Sequence, residues 1–100
     1  MDKFAPVMNI NEPLVTCGLT TFNAEDSISR AIKSIIKQNY SNLEIVIVDD
    51  KSTDKTVYII SKFKLEREFK FKLIINHENK GVAYCRNKII KNAKGKFIAF

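Results

Sequence analysis

The residues able to do chemistry fall into three short polar segments, each placed directly after an apolar run. Thr20-Thr21-Phe22-Asn23-Ala24-Glu25 follows the first run, Asp49-Asp50-Lys51-Ser52 the second, and His77-Glu78-Asn79-Lys80-Gly81 the third. They bring together hydroxyls and carboxylates. Such groups accept hydrogen bonds from ring N–H groups and ribose hydroxyls, which is the chemistry of a nucleoside site. The chain contains no G-x-G-x-x-G and no G-x-x-x-x-G-K-[ST]. A pyrophosphate therefore has no glycine cradle after the first strand, and a P-loop is excluded. His77 is the sole histidine. A Ser-His-Asp triad would rest on it alone, and with no partner in sight it reads as a loop residue.

The elements that must position these segments alternate. Residues 14–19 form a short apolar run suited to a buried strand. Ile28, Ala31, Ile32, Ile35 and Ile36 then repeat at the spacing of one helix face. This predicts a helix over 24–38, with Asn23 as N-cap and Asp26 near its positive end. Residues 39–42 are the turn. Residues 43–48 are rich in β-branched side chains and predict the second strand. Ser52, Thr53 and Asp54 offer three caps for a second helix, with Val57, Ile60 and Phe63 inward. Residues 71–75 are the third strand. Val82, Cys85, Ile89, Ile90 and Ala93 mark a third helix, closed by Gly95. Residues 96–100 begin a fourth strand. The order β-α-β-α-β-α-β predicts an α/β fold: a Rossmann-like open parallel sheet, strand order 3-2-1-4, with right-handed crossovers. Ligands then sit at the carboxyl ends of the strands, in the crevice between the first and fourth.

One hundred residues suffice for one small domain or a piece of a larger one. A content of 45% hydrophobic and 28% charged residues is globular, not disordered. Apolar runs such as 45–48 are strand-sized, far short of a membrane span, and residues 1–12 lack a signal peptide's apolar region. Cys17 and Cys85 have no metal-ligand company. They read as buried reduced thiols, which favours a cytoplasmic setting. The net charge of +6 is uneven, −3 over residues 1–50 and +9 over 51–100. A basic half could meet phosphate or a polyanion. Abundant lysine, isoleucine and asparagine also suit solvated lysine faces and an AT-rich genome.

Four segments together resemble the family 2 glycosyltransferases. Residues 20–25 resemble their opening motif, residues 45–54 their second-strand motif, and residues 79–87 (Asn-Lys-Gly-Val-Ala-Tyr-Cys-Arg-Asn) their third. Residues 95–100 resemble the strand leading into their acidic metal motif. The resemblance implies a GT-A fold, of which residues 14–100 are the N-terminal, nucleotide-sugar-binding part and residues 1–13 a tail. It implies inverting transfer from a nucleotide diphosphate sugar, UDP-linked by expectation, to a hydroxyl acceptor in glycan or polysaccharide synthesis. By position it makes Asp50 the base-binding aspartate, Thr20 and Phe22 nucleoside contacts, Glu25 a base or ribose contact, and Arg86 a basic residue near the donor. The divalent metal, Mg or Mn, its ligands and the catalytic base would lie beyond residue 100. The fragment alone would then hold no catalytic and no metal residue. Departures stand at Thr20, Phe22, Lys51 and Cys85, where the family commonly has proline, tyrosine, a small residue and alanine. The change at Phe22 removes a hydroxyl, and Lys51 leaves base preference open.

Each position also has a plainer reading. Asp50 could cap the second helix, Glu25 could complement a helix dipole, and Thr20 could simply end a strand. Phe22 could be a core aromatic, Arg86 and Lys80 surface charges. Asp49 reads as structural. The rival function is a basic α/β module binding nucleic acid or another polyanion without catalysis. Its lysines lie on several faces without interleaved aromatics, which counts against it. A setting in the cytoplasm or at the inner face of a membrane, with peripheral association, agrees with the implied chemistry. The chain stops at an apolar strand whose edge reads as cut, so self-association through that strand is expected.

Overall fold

In a computed structural model, residues 12–38, 40–66 and 70–100 are described; residues 1–11 of the expected tail, and Asn39 of the first turn, lie outside them. The element order is β1 (Val15–Thr21), α1 (Ile28–Ile36), β2 (Leu43–Asp49), α2 (Thr56–Glu66), β3 (Lys70–Ile75), α3 (Val82–Asn92) and β4 (Phe97–Ala99). All strand pairs are parallel and the sheet order is β3-β2-β1-β4, as the alternating periodicities predict.

β2 is central because its β-branched side chains fill both faces. Ile45 and Ile47 point to one side, where Ile28 and Ile32 of α1 and Ile60 of α2 close over them. Val46 and Val48 point to the other, against Cys85 and Ile89 of α3. All four β2 residues are fully buried. A strand covered on both faces reads as a continuous apolar run rather than an alternating one, which is what residues 45–48 show. Cys17 and Cys85 are free and buried.

Several local expectations change. α1 begins at Ile28, with Ser27 in the cap position, not at Ala24. Asn23 is not a cap: its φ is 47°, and its Oδ1 accepts the Thr53 backbone N–H at 2.8 Å. The chain needs residues 24–27 as a turn before it can enter the helix, with the Ser27 and Ile28 N–H groups both donating to the Ala24 carbonyl. Asp26 consequently falls outside the first helical turn. β1 runs on to Thr21, so Thr20 and Thr21 are strand residues. On α3 the inward residues are Cys85 and Ile89, whereas Val82 and Ile90 stay about half exposed.

Gly95 is not a left-handed helix stop. α3 ends on Ala93 in extended conformation, and among the glycines only Gly81 has a positive φ. What Gly95 supplies is space, since a Cβ there would lie 2.6 Å from the Thr16 backbone nitrogen. β4 is shorter than expected, pairs with β1 from Val15–Phe97 to Cys17–Ala99, and leaves Phe97 and Phe100 exposed.

Candidate functional site

β1 and β2 end side by side, Thr21 opposite Asp49, and the loops that leave them are tied together. Asp49 is fully buried and structural. Its Oδ1 accepts the Thr21 hydroxyl at 2.7 Å and the Ser52 hydroxyl at 2.6 Å, and its Oδ2 accepts the Ser52 N–H at 2.8 Å. Ser52 Oγ in turn accepts the Asn23 N–H. Thr56 Oγ1 accepts the Ala24 N–H, while Asp54 accepts the Glu25 N–H through Oδ2 and the Thr56 N–H through Oδ1. These side chains stand in for the backbone partners that loops lack.

Asp50 lies one residue further and does different work. Its Oδ1 accepts Asn76 Nδ2 at 2.9 Å and the Lys80 N–H at 2.7 Å; its Oδ2 accepts the Gly81 N–H at 3.0 Å. It does not cap α2, where Asp54 serves the first turn; it faces the loop entering α3. Gly81 makes that approach feasible with φ of 90°, a conformation that costs a side-chain-bearing residue strain. The Asn76 amide and the Lys80 N–H hold the Asp50 carboxyl below its ordinary value against a smaller opposing effect of burial, helped by Gly81 and Cys85. It is therefore an anion at neutral pH, and a hydrogen-bond acceptor only.

Asp50, Thr20 and Phe22 line one cleft of about 110 Å³, with Thr21, Val82 and Cys85 completing it. It sits over the ends of β1 and β2 beneath the start of α3. Phe22 is 52% exposed, so it is not a core aromatic. Glu25 is not among the lining residues. Its Oε1 accepts the Lys55 N–H at 2.9 Å, which ties it to the loop before α2. Arg86 is exposed and also outside the lining, with its guanidinium 5.7 Å from the Phe100 ring. Lys80 Nζ lies 3.4 Å from Glu78, and His77 is exposed. Sequence reasoning passed over Asn76, Ser52, Asp54 and Thr56 as partners. Their types suit loops, but their partners lie about thirty positions away.

The described residues do not fit a divalent cation. No group of three His, Cys, Asp or Glu side chains converges among them, and each carboxylate oxygen of Asp49 and Asp50 already accepts at least one N–H or O–H donor. No helix among the described residues is long and apolar enough to cross a membrane.

A four-stranded parallel sheet of order β3-β2-β1-β4, with helices on both faces, defines a Rossmann-like α/β fold. Residues 16–100 match the family model described as Glycosyl transferase family 2, and the chain belongs to that family. It is 40% identical over 91 residues to the UDP-Glc:alpha-D-GlcNAc-diphosphoundecaprenol beta-1,3-glucosyltransferase WfgD of Escherichia coli, covering 91% of this chain and 35% of that protein. It is 35% identical over 89 residues to the putative teichuronic acid biosynthesis glycosyltransferase TuaG of Bacillus subtilis, covering 89% and 35%. Among solved structures, the mannosyltransferase PcManGT of Pyrobaculum calidifontis, in complex with GDP-Man and Mn2+, superposes with a TM-score of 0.83. Its identity is 27%, over 89% of this chain and 27% of that one. S. aureus TarS 1-349 in complex with UDP-GlcNAc gives 0.81 at 31% identity, over 87% and 25%. The fold is that of GT-A glycosyltransferases. The chain spans about a third of the length of the curated relatives it matches.

Proposed function

We propose that these hundred residues are the donor-nucleotide-binding part of a glycosyltransferase that moves a sugar from a UDP-sugar to a hydroxyl acceptor with inversion at C1. The observation that carries this reading is the Asp50 carboxylate, ionised and held by three donors at the rim of a cleft that also contains Thr20 and the Phe22 ring. A carboxylate accepts the imide N–H of uracil and repels the bare N3 acceptor of cytosine. The Phe22 ring offers a face on which a base can stack, with its edges left to polar groups. Glu25 is assigned to the ribose side and Arg86 to the diphosphate side.

A divalent cation, Mg or Mn, supplies charge stabilisation of the departing diphosphate when bound. Its ligands and the base that takes the acceptor proton are assigned to the part of the protein outside residues 1–100. The hundred residues alone are therefore expected to bind nucleotide but transfer no sugar, and to pair through the exposed β4 edge with a second copy. A glycan or a lipid-linked saccharide at the inner membrane face is the proposed acceptor class, reached by peripheral association. Support comes from the family match and from the relatives named for such acceptors.

Calorimetric titration of the protein with UDP, CDP and ADP tests the site. UDP is expected to bind with preference over both. Equal affinity for CDP would reject base reading by Asp50. Determination of the product anomer tests inversion.

A further inference from the structure

We propose that Asn76 is a positioning residue for this site: its buried amide holds the Asp50 carboxylate so that Oδ2 is offered to the N–H of a nucleobase. The proposal rests on the donor-site reading above.

Asn76 follows β3 and is 4% exposed. Its backbone N–H donates to the Asp49 carbonyl at 2.8 Å, extending the sheet ladder by one bond and fixing where the side chain starts. Both amide protons are then engaged: Nδ2 donates to Asp50 Oδ1 at 2.9 Å and to Cys85 Sγ at 3.4 Å. Lys80 gives Oδ1 a second donor, which uses its two lone pairs. Oδ2 accepts one backbone N–H, that of Gly81, and the Cys85 thiol is a further, weaker donor to the same carboxylate.

Asn76 Oδ1 is buried with no hydrogen-bond partner among the described residues. A buried carbonyl left in that state is destabilising, and an apolar side chain of the same size would avoid it. Turning the amide over does not help, because Oδ1 would then face Asp50 Oδ1, acceptor against acceptor. The amide is thus held in an arrangement poor for its own oxygen and good for Asp50. Asn76 is also the largest of the influences that lower the Asp50 pKa. Of the other groups packed near the carboxylate, Cys85 on α3 and Asp49 on β2 can ionise, and the Lys80 ammonium is turned toward Glu78. Thr20, Thr21 and Phe22, from the end of β1, carry no charge.

The test uses the full-length protein with Asn76→Leu, Asn76→Ala and Asp50→Ala. UDP affinity is read by calorimetry, and the Asp50 carboxyl carbon is followed by NMR against pH. Both Asn76 variants are expected to weaken UDP binding about tenfold, the lower end for a hydrogen bond to a charged group. Both are also expected to move the Asp50 titration midpoint upward. A purely structural role would lower thermal stability without moving that midpoint. Should Asn76→Leu fail to fold, the smaller Asn76→Ala, which sets no new charge beside Asp50, carries the test. An unchanged midpoint and affinity in a folded Asn76 variant, alongside lost affinity in Asp50→Ala, overturns the role of Asn76 alone. Unchanged affinity in Asp50→Ala overturns the donor-site reading and this proposal with it.

Discussion

Glu44 of β2 and Lys94 of the α3–β4 turn, fifty residues apart in the chain, meet beside β1, where the buried carboxylate accepts the Lys94 N–H at 2.6 Å. Thr16, the register partner of Glu44, donates its hydroxyl to the same oxygen and accepts the Gly95 N–H at 3.0 Å. One carboxylate at the end of the sheet opposite the cleft thus ties β2, β1 and the entry to β4.

Burial pushes the Glu44 carboxyl up, but the Thr16 hydroxyl, the Lys94 and Gly95 N–H groups and the Lys72 ammonium together hold it below its ordinary value of 4.5. A carboxyl lowered on folding contributes stability that is present above the unfolded pKa and lost as pH falls through the folded one. The Glu44 contribution is therefore full at neutral pH and is lost progressively as pH falls below about 4.5 toward the lower folded value. Glu44→Ala should cost about 1.5–3 kcal/mol, the range for hydrogen bonds to a charged group. Urea unfolding at pH 7 and pH 3.5 checks this: the gap between wild type and variant should shrink at the lower pH.

Gly95→Ala and Gly81→Ala should fail for different reasons. At Gly95 a new Cβ meets backbone atoms, the Thr16 nitrogen at 2.6 Å and the Leu14 oxygen at 3.0 Å, and backbone cannot yield as a side-chain tip can. We expect a loss of about 2–4 kcal/mol, at or above the usual range for overpacking. Gly81 has nothing within 4 Å of its Cβ position, but its φ is +90°. There the loss should be about 1–2 kcal/mol of backbone strain, with weaker UDP binding because the Gly81 N–H is a donor to Asp50. Gly95→Ala should leave UDP affinity of the folded fraction unchanged. Unfolding curves and calorimetry on both variants separate the two cases.

Asp50→Ala should weaken UDP binding about 10- to 100-fold, as expected for loss of one charged hydrogen bond. Phe22→Ala should weaken it about 5- to 50-fold through lost stacking, with stability within about 0.5 kcal/mol of wild type because the ring is exposed. Titration with UDP and with uridine reads both. A Phe22→Ala protein that is strongly destabilised but binds normally would make the ring a packing element.

Cys17 and Cys85 should resist alkylation in the folded protein. Burial raises the pKa of both thiols, and at Cys85 the neighbouring Asp50 charge raises it further. The thiolate is the reactive species. Peptide mapping after iodoacetamide treatment should show both positions unlabelled in buffer and labelled in denaturant. Saturating UDP should not increase labelling of Cys85, which lines the cleft.

Strand identity and sheet order were legible in the residues. The run 45–48 has too many β-branched side chains for a half-exposed strand, and the helix spacing of Ile28, Ile32 and Ile35 needs no tertiary information. Cleft residues on strand ends, Thr20 and Asp50, were legible for the same reason, because strand order dictates which ends adjoin. Helix starts and loop partners were not. Asn23 looks like a cap by type, yet its backbone enters the left-handed region because Ser52 and Thr53 of a loop thirty positions on supply its partners. Gly95 looks like a helix stop, yet its role is to let β4 lie against Thr16. Asn76 carried no signal at all, since its role exists only once β3 lies beside β2 and sets its amide against Asp50. Periodicity reports what a segment buries along its own axis, whereas hydrogen-bond partners between loops depend on contacts that form only when the sheet has assembled.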